Sequence, residues 1–256
     1  MSRLTIEMLF PEVANLHGDN ANITYLAQCR PDAEVVRTAL NDRPAFLDRR
    51  VDLLYLGPLT ERGQLKAIDR LQPYRRELEA RFDSGGLTLF THNALEVLGT
   101  RIRNPEMGYE AQGLGIFELE TTLAMMGRYN GKVMGPVTEL PDAQPIVGYK
   151  SQFSMVEAGS GIDGFFTATR GIGRNPSSAV EGVRRGGFIG TSLIGPLLVI
   201  NPHFTRALLA KLDPDTEPVL AHEEYAVKAY VERLREFRDD RRWHDGERVQ
   251  KPIVSR

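Results

Sequence analysis

The segment Leu87–Gly99, LTLFTHNALEVLG, sets a histidine between an apolar run and a helix-like run. A buried strand that turns at once into a helix holds the residue at the turn, here His92, above the edge of a sheet. In hydrolases such an elbow carries the nucleophile, and the helix N-terminus behind it favours developing negative charge. Thr91, Asn93 and Glu96 surround the same turn. On a helix, His92 and Glu96 stand four positions apart and would form an acid–base pair. The plainer alternative is a strand-to-helix turn whose polar groups cap it and satisfy one another. Lys150-Ser151-Gln152, at the end of the later apolar run Ile146–Tyr149, is expected to converge on this turn.

Other chemically capable residues are less well placed. Cys29, the single cysteine, lies late in a helix-like run just before Arg30-Pro31, where it reads as a small buried hydrophobe. Gly171-Ile172-Gly173-Arg174-Asn175 contains two glycines without a phosphate-loop lysine and is a turn signal. His203, His222 and His244 have no metal-ligand spacing, so neither a metal nor a cofactor is expected. Arg238–Arg242 reads as a solvated helix face.

The elements that must position the elbow follow from the apolar pattern. Leu4–Phe10, Glu34–Thr38, Val51–Leu56 and Leu87–Thr91 read as strands. Asn20–Arg30, Gln64–Phe82 (interrupted at Pro73) and Asn93–Leu98 read as helices between and after them. This alternation predicts a parallel sheet covered by helices, with sites along the strands' carboxyl edge. The second half is different: Gly113–Phe117, Ile146–Tyr149, Phe165–Thr169 and Phe188–Ser192 read as short strands, partly antiparallel. Asn201, as N-cap, opens a helix running through about Leu212, with Pro202 at its first position. His222–Arg242 is an amphipathic helix with Val227, Tyr230, Val231, Leu234 and Phe237 on its stripe, and the tail after Trp243 is expected to fray. Residues 1–221 are read as one α/β domain, with residues 222–256 as a helix and tail packed on it.

Composition excludes several function classes. The chain has 256 residues, with 32 Lys+Arg against 34 Asp+Glu, a net charge of −2. That balance argues against nucleic-acid binding through bulk positive charge. One cysteine rules out an internal disulfide and zinc sites built from two or four cysteines. The opening MSRLTIEMLFPE lacks a signal-peptide apolar stretch, and Leu193–Ile200 is broken by Gly195 and Pro196. No membrane association and a cytoplasmic location are therefore expected.

At the elbow the sequence resembles the CobB/CobQ (cobyric-acid-synthase) type of class I glutamine amidotransferases. Within that family it is most similar to GatD, the glutaminase subunit of lipid II isoglutaminyl synthase. LFPEVANLHGDNANITYLAQC resembles that branch's LYPDLLNLYGDRGNI-like opening, and LTLFTHNALEVLG resembles its nucleophile segment, LAICGGYQLLG. GLGIFELET with Arg128, IVGYKSQFS, and EGVRRGGFIGTSLIGPLLVINPHFTRALL resemble later segments in the same order. The similarity runs from about Leu9 to about Leu212.

The resemblance implies a flavodoxin-like class I glutamine amidotransferase fold, mostly parallel and flanked by helices. It also implies that the usual chemistry is gone. The family's elbow cysteine, which forms a thioester with glutamine, aligns with His92, and the histidine of its GTYLHGP-like motif aligns with Ile194. Asn93-Ala94 replaces the glycines after the nucleophile, and Glu96 replaces a glutamine. The loop that approaches substrate after the third strand reads Gly57-Pro58-Leu59-Thr60, where proline removes an N–H. Arg128 matches a position expected to contact a substrate carboxylate, and Gly57, Asn93, Ser151 and Gln152 complete the implied substrate set. Three expectations follow. The first is a catalytically degenerate protein that acts beside a Mur-ligase-like synthetase. The second is an enzyme with altered elbow chemistry centred on His92, with Thr91 and Glu96. The third is a module that binds glutamine or a related amino acid without turnover.

Overall fold

A computed structural model describes residues 3–141, 143–243 and 247–248. Its centre is a six-stranded sheet. The first half supplies β1 (Thr5–Leu9), α1 (Ala21–Cys29), β2 (Glu34–Thr38), β3 (Leu53–Leu56), α2 (Glu61–Leu71), α3 (Arg75–Asp83) and β4 (Thr88–Thr91). Pro73 divides the predicted Gln64–Phe82 helix into α2 and α3 through a short 3₁₀ turn, since proline cannot donate within a helix. Thr60 caps α2 by accepting from the Gly63 N–H.

The second half adds β5 (Arg101–Asn104), β6 (Tyr109–Gln112), β7 (Leu119–Leu123), β8 (Tyr129–Gly135), β9 (Ile146–Gln152) and β10 (Ser154–Ala158). β11 (Phe166–Thr167), β12 (Val180–Glu181), β13 (Val183–Arg185) and β14 (Phe188–Thr191) follow, then α4 (Leu197–Ile200), α5 (Pro202–Leu212), α6 (Glu223–Arg238) and β15 (Glu247–Arg248). The central sheet has the order β13-β14-β4-β3-β1-β2 and is parallel except for β13. Antiparallel pairing dominates the smaller sheets, β10-β7-β5-β6 and β15-β8-β9.

Alternate strand residues feed two cores, as a sheet buried on both faces requires. Leu54, Leu56 and Phe90 pack with Ala67, Leu71, Leu78 and Phe82 of α2 and α3. Leu53, Tyr55 and Leu89 pack with Ile23 and Leu26 of α1 and with Leu208 and Leu209 of α5. On α6, Tyr230, Leu234 and Phe237 join Met134 and Val147 of β8 and β9, while Val231 faces solvent.

Three local expectations are corrected. His92–Leu98 forms a 3₁₀ helix rather than an α-helix. Gly113–Phe117 is not a strand: with Gly115 at φ +64° it turns, and its N–H groups bond to the Val97, Leu98, Gly99 and Thr100 carbonyls instead of a strand neighbour. Asn201 does not cap α5 with its side chain. That amide instead clamps Val147, accepting from its N–H and donating to its carbonyl. The tail expected to fray beyond Trp243 lies outside the described residues, except for Glu247–Arg248, which pairs with β8.

Candidate active site

β4 lies between β3 and β14, so the loops leaving three neighbouring parallel strands meet at one edge. Thr91 pairs in register with Thr191, which puts His92 and Ile194 just past the ends of adjacent strands. Three of the four non-glycine residues with positive φ among the described residues lie along this edge: Phe10 (55°), His17 (61°) and His92 (53°). A left-handed conformation at a bulky residue is strained, and such strain gathers at functional turns. His92 thus has the backbone of a nucleophile elbow with an imidazole on it.

The imidazole is 8% exposed, and burial lowers its pKa to about 4, so the ring is neutral. Its Nε2 lies 3.3 Å from the Ser151 carbonyl, which can only accept, so Nε2 carries the proton. Nδ1 is then an acceptor, buried and without a hydrogen-bond partner. The exposed ring of His17 lies against the His92 ring at a tilt, with centroids 5.4 Å apart. On the other side, the Ser151 hydroxyl accepts from Arg128 at 3.3 Å and donates to Asn130 at 2.7 Å, and the Arg128 guanidinium stacks over Phe153. Of the residues singled out from sequence, His92, Ser151 and Arg128 come together.

The others are turned inward. Thr91 donates to the Asp19 carboxylate, which also accepts from Tyr55. Asp19 is fully buried, its carboxyl is pushed up by burial, and its Oδ1 has no partner. Asn93 clamps Leu59 at both backbone atoms, 2.9 and 2.8 Å, fixing the Gly57–Thr60 loop to the elbow. Gly57 runs so close to Ala14 that a Cβ would sit 2.6 Å from the Ala14 carbonyl. Gln152 donates to Ser154 and Arg174 carbonyls. Lys150 is buried against Glu181 and the Gly173 carbonyl, with no hydrogen bond to the turn, yet near enough for its charge to add to the lowering of the His92 pKa. Glu181 in turn accepts from the Thr191 hydroxyl and the Ser192 N–H, holding the end of β14.

The expected His92–Glu96 pair is corrected. Residues three apart eclipse on a 3₁₀ helix, whereas residues four apart diverge. Glu96 therefore shares Gln64 with Asn93: the Gln64 amide donates to Glu96 at 3.0 Å and to the Asn93 carbonyl at 2.8 Å. Burial raises the Glu96 carboxyl to about 7. His17 and Asp19 were not singled out from sequence. The LHGDN run within the resembled opening carried the signal, but the His17–His92 contact joins residues distant in sequence.

No family model matches the chain, and no curated protein is similar to it. Solved structures are. PurLQS from Thermotoga maritima has a TM-score of 0.55 at 11% identity, covering 83% of this chain and all (100%) of that one. A glutamine amidotransferase has a TM-score of 0.53 at 15% identity, over 80% and 98% of the two chains. Another from Thermotoga maritima reaches 0.50 at 10%, over 91% and 99%. The fold is that of the class I glutamine amidotransferases. At these identities the likeness is one of fold. Among the described residues no helix is long and apolar enough to cross a membrane, and no group of three His, Cys, Asp or Glu side chains is arranged to hold a metal ion.

Proposed function

We propose that this chain is a glutamine-amidotransferase-like protein of the CobB/CobQ type, related to the GatD branch. In this reading it lacks glutaminase activity and acts as a non-catalytic or regulatory partner of a Mur-ligase-like amidating enzyme. The observation that carries the reading is the elbow itself: a buried, neutral imidazole at the end of β4, with Ile194 on the loop after β14. Glutamine hydrolysis by thioester formation needs a thiolate there and a base to move protons. Imidazole attacks an unactivated carboxamide poorly, and isoleucine moves no proton. Cys29 offers no replacement: it is buried in α1, its thiol is pushed up by burial, and it accepts from the Ala221 N–H.

The test is glutamate release from glutamine by the wild type and by the double variant His92→Cys/Ile194→His. The wild type is expected to match the blank and the double variant to gain turnover. Turnover by the wild type overturns the reading. Stable co-purification with a Mur-ligase-like synthetase supports the partner role, and a protein that remains alone in solution beside such a synthetase counts against it.

The Arg128–Ser151–His92 chain favours a second reading, an amino-acid-binding module that keeps a carboxylate site without turnover. Calorimetry with millimolar glutamine separates the two, since absence of heat removes the second.

A further inference from the structure

Two imidazoles from separate loops meet at the sheet edge. His17 follows β1 and His92 follows β4, and both hold left-handed backbones, φ 61° and 53°. Their ring centroids are 5.4 Å apart and their planes are tilted by 59°. Nε2 of His92 faces the Ser151 carbonyl at 3.3 Å, so it carries the proton and Nδ1 keeps a lone pair. That nitrogen is buried and has no hydrogen-bond partner. Asp19 Oδ1, two residues beyond His17, is buried and unpartnered as well. Buried acceptors left in this way call for a donor or a cation. A ring contact alone accounts for the His17–His92 spacing and leaves both acceptors unsatisfied. The exposed His17 ring keeps the pair within reach of solvent.

We propose that His17 and His92 together bind one divalent ion of the Zn2+ class at the elbow, His92 through Nδ1, with water or a ligand's donor atom in the remaining positions. Two imidazoles that hold one tetrahedral ion through nitrogen at about 2.0–2.1 Å have ring centroids roughly 5 Å apart. The Nε2–H bond to a backbone carbonyl is the usual outer contact of a ligating histidine, and it fixes tautomer and ring orientation. Imidazole nitrogen suits Zn2+, Cu2+ and Ni2+, whereas Mg2+ and Ca2+ take oxygen. Asp19 interacts electrostatically with His17, and a cation beside them favours its ionised form. It remains bonded to Thr91 and Tyr55, and no three such side chains among the described residues are arranged around one ion, so the protein supplies two ligands. The charge of Lys150, which also reaches His92, is offset by Glu181 at 3.3 Å, and Arg128 faces Ser151 and Phe153. The ion would tie the loop after β1 to the elbow. Such binding is independent of the partner role above and of glutamine turnover.

The test strips the full chain with EDTA, titrates it with Zn2+ in a calorimeter, and then titrates it with Co2+ followed by visible absorption. One ion per chain is expected, with the intense visible bands of tetrahedral Co2+. His17→Ala and His92→Gln are each expected to weaken binding by more than roughly tenfold, since even an outer partner of a ligand is worth that much. Far-UV circular dichroism should be unchanged in His17→Ala, whose side chain is exposed. His203→Ala/His222→Ala is expected to leave the affinity as it was, and Mg2+ to give no heat. No heat with Zn2+ means a bare ring contact and overturns the proposal. So does binding indifferent to His17→Ala, binding lost with His203→Ala/His222→Ala, or equal affinity for Mg2+.

Discussion

His92 and Glu96 sit in one 3₁₀ helix and are tuned in opposite directions by the same cause, loss of water. The folded value of His92, about 4, lies below its ordinary 6.5, so protons favour the unfolded chain. Its contribution is complete above about pH 6.5 and is lost as pH falls toward 4. Glu96, at about 7 against 4.5, behaves inversely: its contribution is complete below 4.5 and is lost as pH rises through 7. Between these limits the two slopes oppose each other. Glu96→Gln is expected to steepen the acid-side loss and to stabilise the protein at pH 8, by up to a few kcal/mol, while His92→Asn removes the acid-side loss. Urea denaturation at pH 5, 6.5 and 8 measures both, and an unchanged profile in Glu96→Gln contradicts this account.

Where loops meet, single atoms hold whole elements. Asp19 joins the loop after β1 to Tyr55 of β3 and Thr91 of β4. Asp19→Ala removes the carboxylate that accepts from Thr91 and Tyr55, while the Tyr55 bond to the backbone carbonyl remains, and is expected to cost roughly 1–3 kcal/mol, with Asp19→Asn costing less. Gly57→Ala forces a methyl against the Ala14 carbonyl, a backbone atom that cannot turn aside. A loss of roughly 1–3 kcal/mol is expected, and a melting temperature equal to wild type refutes it. The helix type at the elbow is decided at this scale too. Apolar spacing over seven residues, His92–Leu98, does not separate 3₁₀ from α, and the N–H groups that take its last carbonyls come from Leu114, Ile116 and Phe117.

Across the molecule, α6 is held by a small cluster rather than by either main core. Phe237 is fully buried there, meeting Tyr149 edge-on at 5.4 Å, with Trp243 at 6.2 Å. Phe237→Ala is expected to cost about 3–5 kcal/mol. Trp243 is the chain's single tryptophan, so its emission reports on this cluster directly. In the variant its shift should precede loss of far-UV dichroism during urea titration. Coincident transitions would mean that α6 and the sheet unfold as one unit.

Strand–helix alternation, the stop at Pro73 and the abrupt junction at Thr91-His92 were legible in the chain because they follow from local period and breakers. So was the isolation of Cys29, which lies in the first helical run, far upstream of the elbow. Which polar groups face the site was not legible. Thr91, Asn93, Glu96 and Lys150 read alike as candidates, yet each is used up by a distant partner: Asp19, Leu59, Gln64 and Glu181. Sequence sets which elements form and where the chain must turn. Only the tertiary structure decided which side chains remain available, because hydrogen-bond partners are assigned by contacts between loops that spacing along the chain does not encode.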